Sequence, residues 1–404
     1  MKKIIELKNG IQVLFKKSSN TPRVALCLNF SINQEEEILG TYSLMSRLFL
    51  QGTKTRNSEI LAQELDENAI ELSVDLKSDY LRFSFLCLNE DFEKALEILE
   101  DIVKNTTFND YQKEILKCKG EIKLSQDSPI TKVLDGYYRG MFSNHPYGTT
   151  DTVILENIDR IKKTDIINAY ENVLNNSRKV ITVVGDIDEV KAQNIIEKAF
   201  DNLPDNKKEV ILFNKTPILK SKEIIQVKED LNQAHIVKGW LVPTYKSKEY
   251  GALLMLNVIL GASGLSSRLF CELRDKKGLA YVVRSTYEVL LSAANFNIYI
   301  ATEPKNIETA LAGFKEEIDK IKTELVSEKE LENARTNLFG TWAFAYETNS
   351  RQAMILSHYG ILHLGFDYMD EIKKIVADVT TQDLLDCAQK YFNEDSSVLS
   401  VLKP

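Results

Sequence analysis

Two groups of polar side chains in the first half of the sequence have the spacing of a single helical face. Ser43, Ser46 and Arg47 stand at i, i+3 and i+4, and Glu114 and Glu121 are seven residues apart. Carboxylates at such a spacing can serve as metal ligands or acid–base groups, and arginine can pair with them. Charged side chains are usually solvated, so the spacing alone fits two exposed helix faces equally well.

The most distinctive segment of the second half is residues 260–281, which contain glycine, serine and several basic residues. It runs from a short loop, Gly261–Gly264, into a basic helix that carries Arg274, and it ends at Tyr281. Without a Gly-Lys-Ser/Thr sequence, the loop does not match a phosphate-binding loop. Taken alone, Arg274 fits a surface ion pair and Tyr281 fits a core aromatic residue.

Composition narrows the function classes. The chain has 404 residues. Its 51 Lys and Arg against 59 Asp and Glu give a formal net charge of 51 − 59 = −8 at pH 7. This acidic balance argues against nucleic acid as a partner. Five Cys without a Cys-x-x-Cys pair predict reduced thiols and a cytoplasmic location. We identify neither a secretion signal nor a long apolar run in the sequence, and we therefore expect no membrane partner. Only four His are available for metal chemistry.

The sequence also carries an internal repeat. Three pairs of segments match in the same order at offsets of 215, 218 and 221 residues: 92–99 with 307–314, 158–184 with 376–402, and 44–49 with 265–270. Because single matches between amphipathic helices are common, it is the shared order and offset that indicate duplication of a domain of about 200 residues. The predicted domains are residues 1–205 and 223–404, joined by a linker at 206–222.

Apolar alternation predicts the fold class. Asn9-Gly10 between two apolar runs predicts a hairpin, and residues 70–76 and 81–87 alternate as paired strands do. Because the strands come as adjacent pairs with helices grouped between them, we expect an α+β fold. Each of the two homologous domains should have a mostly antiparallel sheet with helices packed on one face.

Several motifs in order resemble the M16 (pitrilysin, or mitochondrial-processing-peptidase-like) metallopeptidases over essentially the whole chain. The motifs that carry the resemblance are Lys8-Asn9-Gly10-Ile11-Gln12-Val13-Leu14, Gly52-Thr53, His145-Pro146-Tyr147-Gly148, Val184-Gly185-Asp186 and the segment from Asn232 to Tyr281. The length resembles the short two-domain branch, whose active form pairs two such chains.

The sequence departs from this family at the zinc motif H-x-x-E-H, in which two His bind zinc and the Glu is general base. Those positions are Ser43, Ser46 and Arg47 here, while Glu121 matches the third ligand and Glu114 the acidic residue before it. One carboxylate cannot replace three protein ligands, and arginine offers no lone pair. We therefore expect no catalytic or metal-binding residue in this chain, and zinc only in a partner subunit.

The resemblance implies that a second site is retained. Arg274 and Tyr281 match the pair with which the family's second domain is thought to hold the substrate backbone, and Gly261–Gly264 matches a loop that borders its chamber. Such a chain resembles the non-catalytic, substrate-binding subunit of a heterodimeric zinc peptidase. The implied partners are a peptide and either an M16 paralogue with H-x-x-E-H or a second copy in a homodimer.

Two other functions stay open. The chain could be a structural or interaction protein of M16 fold with no role in proteolysis, or a peptidase active alone through an unrecognised site. A specific hypothesis concerns Arg47, whose guanidinium could replace the positive charge of the lost zinc. It predicts that Arg47 lies within hydrogen-bonding distance of Glu121 or Glu114.

Overall fold

The computed structural model describes residues 2–19, 21–143, 145–207 and 220–404. They form two compact units. Unit 1 holds the described residues of Met1–Glu121, Val153–Leu212 and Phe344–Tyr368, and unit 2 those of Ile122–Thr152, Phe213–Ala343 and Met369–Pro404. The domain boundaries at 205 and 223 stay a prediction, and residues 208–219 of the expected linker lie outside the described part.

Unit 1 contains a six-stranded sheet in the order β1-β2-β6-β3-β5-β4. Its strands are β1 Lys2–Glu6, β2 Gln12–Lys17, β3 Arg23–Ser31, β4 Glu71–Leu76, β5 Tyr80–Leu88 and β6 Lys179–Gly185. Neighbours are antiparallel except for the parallel pair β2–β6. The predicted Asn9-Gly10 hairpin joins β1 to β2, and the two alternating segments are β4 and β5.

Unit 2 contains a five-stranded sheet in the order β7-β11-β8-β10-β9. Its strands are β7 Lys222–Val227, β8 Ala234–Val242, β9 Ala280–Val289, β10 Ala294–Thr302 and β11 Ser397–Lys403. Only β7 and β11 pair in parallel. This is the unit 1 order without a counterpart of β1, so the same topology occurs twice.

Helices make up most of the remaining described residues. They are α1 Thr41–Leu48, α2 Ser58–Glu67, α3 Phe92–Asn105, α4 Tyr111–Gln126, α5 Pro129–Met141, α6 Asp151–Asn157, α7 Lys163–Asn176, α8 Glu189–Phe200, α9 Tyr250–Asn257, α10 Ile307–Thr323, α11 Glu328–Ala345, α12 Asn349–Ile361, α13 Tyr368–Ala377 and α14 Thr381–Tyr391. The mixture of helices with two mostly antiparallel sheets confirms the α+β prediction. None of the described helices is long and apolar enough to span a membrane.

Helices contact both faces of the unit 1 sheet. The Phe83 ring packs against Phe49, which follows α1, with centroids 4.8 Å apart. The next residue towards the N-terminus, Arg82, points to the other face, since side chains alternate along a strand. There its Nη2 donates to the Met354 carbonyl of α12 over 3.2 Å. The unit 1 sheet is therefore covered by α12 on the face opposite α1.

Unit 2 repeats this arrangement with different residues. Phe296 packs on Phe392, just after α14, with ring centroids 4.9 Å apart. The neighbouring Asn295 points to the other face and accepts a 3.2 Å hydrogen bond from the Tyr137 hydroxyl of α5. The matched segments 92–99 and 307–314 lie in the equivalent helices α3 and α10. The match of 44–49 with 265–270 was wrong as an equivalence, because α1 directly follows β3 whereas 265–270 comes after α9.

Candidate functional site

Helix α1 carries the degenerate zinc-motif positions and is fixed by its apolar face. Leu44, Met45 and Leu48 are fully buried. Gly40 precedes the helix and has no side chain to cap it. The carboxylate of Glu36 accepts from the N–H groups of Gly40 and Tyr42 instead. Burial raises the pKa of Glu36, and these two hydrogen bonds only partly oppose the rise.

The serine at the second position of the motif makes a hydrogen bond within its own helix. Ser46 is buried, and its hydroxyl donates to the backbone carbonyl of Ser43 over 2.8 Å. This bond belongs to the helix itself, as is common for serine inside a helix. The Ser46 hydroxyl is therefore engaged with its own backbone.

The structure brings together the three charged residues of the degenerate motif. Arg47 Nε donates to Glu114 Oε1 over 2.7 Å, and Arg47 Nη2 donates to Glu121 Oε2. Glu114 and Glu121 share one face of α4, as their seven-residue spacing predicted. The Glu114 side chain is 4% exposed and that of Glu121 is 48% exposed. One guanidinium thus joins a buried carboxylate to a half-exposed one.

The charges in this cluster stabilise one another. Partial burial disfavours the charged form of Arg47, but its hydrogen bonds to Glu121 and Glu114 outweigh that effect and raise its pKa. The same hydrogen bond from Arg47 lowers the pKa of Glu121. Arg47 and Glu121 therefore stay charged near neutral pH.

These residues do not fit a catalytic zinc ion. Zinc needs lone pairs from His, Cys or carboxylate side chains, whereas the guanidinium and the serine hydroxyls offer none that proteins use for zinc. Glu121 already faces two cations, the guanidinium of Arg47 and the ammonium group of Lys117, whose Nζ is 3.9 Å from Glu121 Oε1. Across the ranges that the structure describes, no group of three or more His, Cys, Asp or Glu side chains is arranged to hold a metal ion.

In unit 2 the structure brings Arg274 and Tyr281 together. Arg274 Nη1 donates to the Tyr281 carbonyl over 3.0 Å, and its guanidinium carbon lies 4.6 Å from the centroid of the Tyr281 ring. The same carbon lies 4.5 Å from the Phe270 ring. The Tyr281 side chain is 76% exposed, so it is not the core residue that its type alone suggests.

Local backbone irregularities position this pair. Residues Phe270–Lys276 form wide helical turns, with the N–H of Lys277 bonded to the Glu272 carbonyl five residues earlier. Strand β9 then begins with a bulge, because Thr302 of β10 pairs with Ala280 and Ala301 with Val282. Tyr281 is the extra residue of that bulge, and bulges often re-aim side chains beside functional sites.

Two features around Arg274 and Tyr281 differ from the sequence prediction. Phe270 was not identified, although its position four residues before Arg274 places both on one helical face. The predicted loop Gly261–Gly264 is not a loop throughout, because helical turns continue through Val258–Ala262 and a tight turn follows at Gly264–Ser266. The buried Gly261 leaves no room for a side chain there, since a Cβ atom would stand 2.1 Å from the Ser285 nitrogen.

Three of the four His lie outside both clusters. His145 Nδ1 accepts from the Tyr147 N–H over 3.2 Å, and His235 Nδ1 is 2.9 Å from the Tyr299 hydroxyl. His358 Nδ1 is 3.1 Å from the Tyr80 hydroxyl, and burial is the main reason that its pKa falls to about 4. These three His are packed against aromatic residues.

Comparison with known proteins agrees with this organisation. Residues 12–150 match the family model described as insulinase (peptidase family M16), and residues 160–338 match the model described as peptidase M16 inactive domain. Among solved structures, "the crystal structure of a protease from Helicobacter pylori" is similar with a TM-score of 0.90, 21% identity and full coverage of both chains. The peptidase M16 inactive domain from Pseudomonas fluorescens gives 0.88 at 20% identity, covering 100% of this chain and 98% of that one.

Curated relatives extend over nearly the full length. An uncharacterized zinc protease of Rickettsia felis is 27% identical over 96% of this chain and 95% of its own. An uncharacterized zinc protease of Bacillus subtilis is 26% identical over 98% and 97%. The two family models together cover most of the sequence, and both units have the fold seen in the similar structures. The chain belongs to peptidase family M16.

Proposed function

We propose that this protein is the non-catalytic, substrate-binding subunit of a heterodimeric zinc peptidase. The observation that carries the proposal is the pairing of Arg47 with Glu114 and Glu121, which replaces a metal site by a closed ion-pair cluster. The contact between Arg274 and the exposed Tyr281 in the other unit supports a role in holding the substrate rather than in the reaction itself. The catalytic zinc then belongs to an M16 paralogue with the H-x-x-E-H motif.

In this proposal Arg274 and Tyr281 bind the peptide. Arginine offers five N–H donors in a plane, and the exposed tyrosine offers a hydroxyl and an aromatic face. Stacking on Phe270 fixes the guanidinium before substrate arrives, which lowers the entropy lost on binding. The protein would act in the cytoplasm, in keeping with five free cysteines, four of which are buried.

A peptide-cleavage assay tests the proposal. The chain is assayed alone, mixed with an H-x-x-E-H paralogue of the same organism, and mixed as Arg274→Ala. We expect cleavage only in the mixture and a loss of kcat/KM of about 10- to 150-fold with Arg274→Ala, since a hydrogen bond to a charged group contributes about 1.5–3 kcal/mol. Lys276→Ala, which removes a neighbouring exposed cation, is the matched control.

The alternatives predict different results. Zinc-dependent cleavage by the chain alone would contradict the assignment as a non-catalytic subunit. If Arg274→Ala leaves cleavage by the mixture unchanged, Arg274 does not bind the peptide. The second candidate, a structural or interaction protein of M16 fold, predicts no cleavage with any partner. Size measurement of the purified chain alone then tests whether it forms a homodimer.

A further inference from the structure

Two buried arginines of unit 1 lie under α12 without a carboxylate partner. Arg82 is 6% exposed and Arg178 is 8% exposed. Neither forms an ion pair with any residue of the described ranges, and α12 contains no Asp or Glu. Asp75 is the cross-strand neighbour of Arg82, but its carboxylate pairs with Lys77 at 4.0 Å. Burial lowers the pKa of Arg178, which indicates that no nearby anion compensates its charge.

The polar contacts of these arginines are neutral groups, and one donor of each is left over. Arg82 Nη2 donates to the Tyr80 hydroxyl over 2.8 Å and to the carbonyl of Met354. Arg178 Nη2 donates to the side-chain oxygen of Gln12 over 2.9 Å. The Nε–H of each arginine is buried and has no hydrogen-bond partner within the described ranges. An unsatisfied buried donor is costly, so these two donors need an explanation.

Two neutral side chains on the same face of the sheet are also unsatisfied. Asn29 of β3 stands directly opposite Arg82, and neither of its amide atoms has a partner in the part of the chain that the structure describes. The hydroxyl of Thr182, two residues after the β6 residue opposite Asn29, is buried in the same way. Because directly opposite residues of neighbouring strands share a face, Asn29 points towards α12 as Arg82 does. Unsatisfied donors thus collect around a positive charge.

Unit 2 satisfies the equivalent positions with its own groups and has no arginine there. By its register in the sheet, Asn297 of β10 takes the place of Arg82, and its Nδ2 donates to Asn295 Oδ1 over 2.9 Å. Ser400 of β11 takes the place of Thr182, and its hydroxyl donates to a carbonyl of α5 over 2.9 Å. The buried cation and the unsatisfied donors therefore occur together, in unit 1.

Unit 1 also has space at this position. The covering helix α12 has Ser357 where α5 of unit 2 has the much larger Tyr137. A cavity of about 270 Å³, partly open to solvent, adjoins this region. It is lined by Cys27 and Ser84, which form the next cross-strand pair along the same face, and by Met354. A small ligand can reach the unsatisfied donors by this route.

We propose that unit 1 binds a chloride ion between its sheet and α12, held by Arg82 Nε and Asn29 Nδ2. The hydroxyl of Thr182 and the positive charge of Arg178 add to the attraction. A water molecule would satisfy hydrogen bonds but would leave the buried charge uncompensated, and a buried charge without a partner is costly. This inference goes beyond the proposed function, because it assigns a ligand to a part of unit 1 that the proposed function does not use.

Diffraction with bromide tests the proposal directly. Crystals of the full chain are soaked in sodium bromide, because bromide replaces chloride and scatters X-rays anomalously, whereas water does not. We expect an anomalous peak in contact with Arg82 Nε and Asn29 Nδ2. Density at that place without an anomalous signal means that water satisfies these groups, and it overturns the proposal. Bromide at surface positions alone, an adventitious ion only, overturns it as well.

Thermal unfolding of the full chain gives a second readout. Chloride is exchanged for gluconate at constant ionic strength, since gluconate is too large for the site. We expect Tm to rise by about 3 °C or more as chloride increases from about 1 to about 300 mM, because a ligand that binds only the folded chain stabilises it. A Tm that does not respond to chloride contradicts the proposal.

Variants assign the chloride effect to this site. Arg82→Asn, which introduces the residue of unit 2, should abolish the rise in Tm. Asn29→Ala should reduce it, and this variant keeps the test decisive if Arg82→Asn does not fold. Arg351→Asn, which removes an exposed cation of the same helix, is the matched control and should leave the rise unchanged. A chloride effect that survives both Arg82→Asn and Asn29→Ala places the anion elsewhere and overturns the proposal.

Discussion

Arg47 of unit 1 and Arg274 of unit 2 are chemically identical side chains in opposite situations. Arg47 is bound by two carboxylates, one of which is almost completely buried. Arg274 is held by two aromatic rings and one carbonyl. An arginine between carboxylates compensates their charges and has few donors left to bind a ligand, whereas one held by neutral groups keeps its charge available.

The two units also differ where a helix crosses the sheet. Asn29 of β3 stands beside Val180 of β6, and Gly239 of β8 stands in the same relation to Val398 of β11. Glycines of the covering helices lie over these valines, since a Cβ atom on Gly360 or Gly140 would be about 3 Å from the valine Cγ1. The equivalent glycines are 220 residues apart.

This register places Ser357 of α12 where α5 has Tyr137. In unit 2 the Tyr137 hydroxyl stands over Gly239, where a Cβ atom would be only 2.1 Å from it. In unit 1 Asn29 is fully buried, and neither of its amide atoms has a hydrogen-bond partner within the described ranges. Unit 2 has the Tyr137 hydroxyl over a glycine, whereas unit 1 has a serine at the equivalent helix position and an asparagine at the equivalent strand position.

The largest expected effect on stability concerns the ion-pair cluster of Arg47, Glu114 and Glu121. Arg47→Leu leaves the buried Glu114 without its cation. We expect a loss of about 2–4 kcal/mol in the free energy of unfolding, because removing one partner of a buried pair leaves the other charge buried and uncompensated. Urea unfolding measures it. Glu121→Gln, at the exposed end, should cost below about 1 kcal/mol.

The double variant Arg47→Leu, Glu114→Leu is the control for this prediction, because it removes both charges of the pair. It should recover most of the stability lost in Arg47→Leu. A single variant as stable as the natural chain would mean that Arg47 does not compensate Glu114, and the contrast between the two arginines would fail.

The second prediction introduces the tyrosine and glycine of unit 2 at the equivalent positions 357 and 29 of unit 1. Ser357→Tyr alone should cost about 1–3 kcal/mol, since the added ring meets the side chain of Asn29 in a packed interior. Adding Asn29→Gly should restore part of that loss, with a coupling energy of about 1–3 kcal/mol in a double-mutant cycle. Additive effects of the two changes would show that the units are not equivalent here.

The third prediction is a pH dependence. The Glu121 pKa is lowered in the folded protein, chiefly by its hydrogen bond from Arg47, so the pair contributes stability above the ordinary glutamate pKa of about 4.3 and loses it as pH falls below that value. The stability difference between the natural chain and Arg47→Leu should therefore narrow below about pH 4. Urea titrations from pH 7 to 3 measure it, and a difference that widens on acidification contradicts the pairing.

The smallest effect on stability is expected for substitutions of Arg274 and Tyr281. Arg274→Ala should change the free energy of unfolding by less than about 1 kcal/mol, since it removes an exposed hydrogen bond and surface cation–π contacts. Tyr281→Ala should be similarly mild because its side chain is mostly exposed. A loss as large as that of Arg47→Leu would mean that Arg274 is a structural residue, and the comparison would have to be abandoned.

Much of the fold and the membership of both candidate sites follow from the sequence. Apolar alternation predicts the paired strands, Asn9-Gly10 predicts the first hairpin, and the shared offset predicts that one topology occurs twice. The seven-residue spacing places Glu114 and Glu121 on one face of α4. The replacement of H-x-x-E-H by Ser43, Ser46 and Arg47 is likewise legible without coordinates, because ligand chemistry depends on residue type.

Only the tertiary structure determined how these residues are satisfied. Arg47 and Glu114 are 67 positions apart, and no local pattern states that their side chains meet. The bulge that exposes Tyr281 depends on the register between β9 and β10, and α12 meets β3 and β5 only in the folded chain. Sequence determines local conformation and chemical type, whereas long-range packing determines the burial and the partners of each side chain. Packing therefore decides that Arg47 is paired with carboxylates and that Arg274 keeps its charge unpaired.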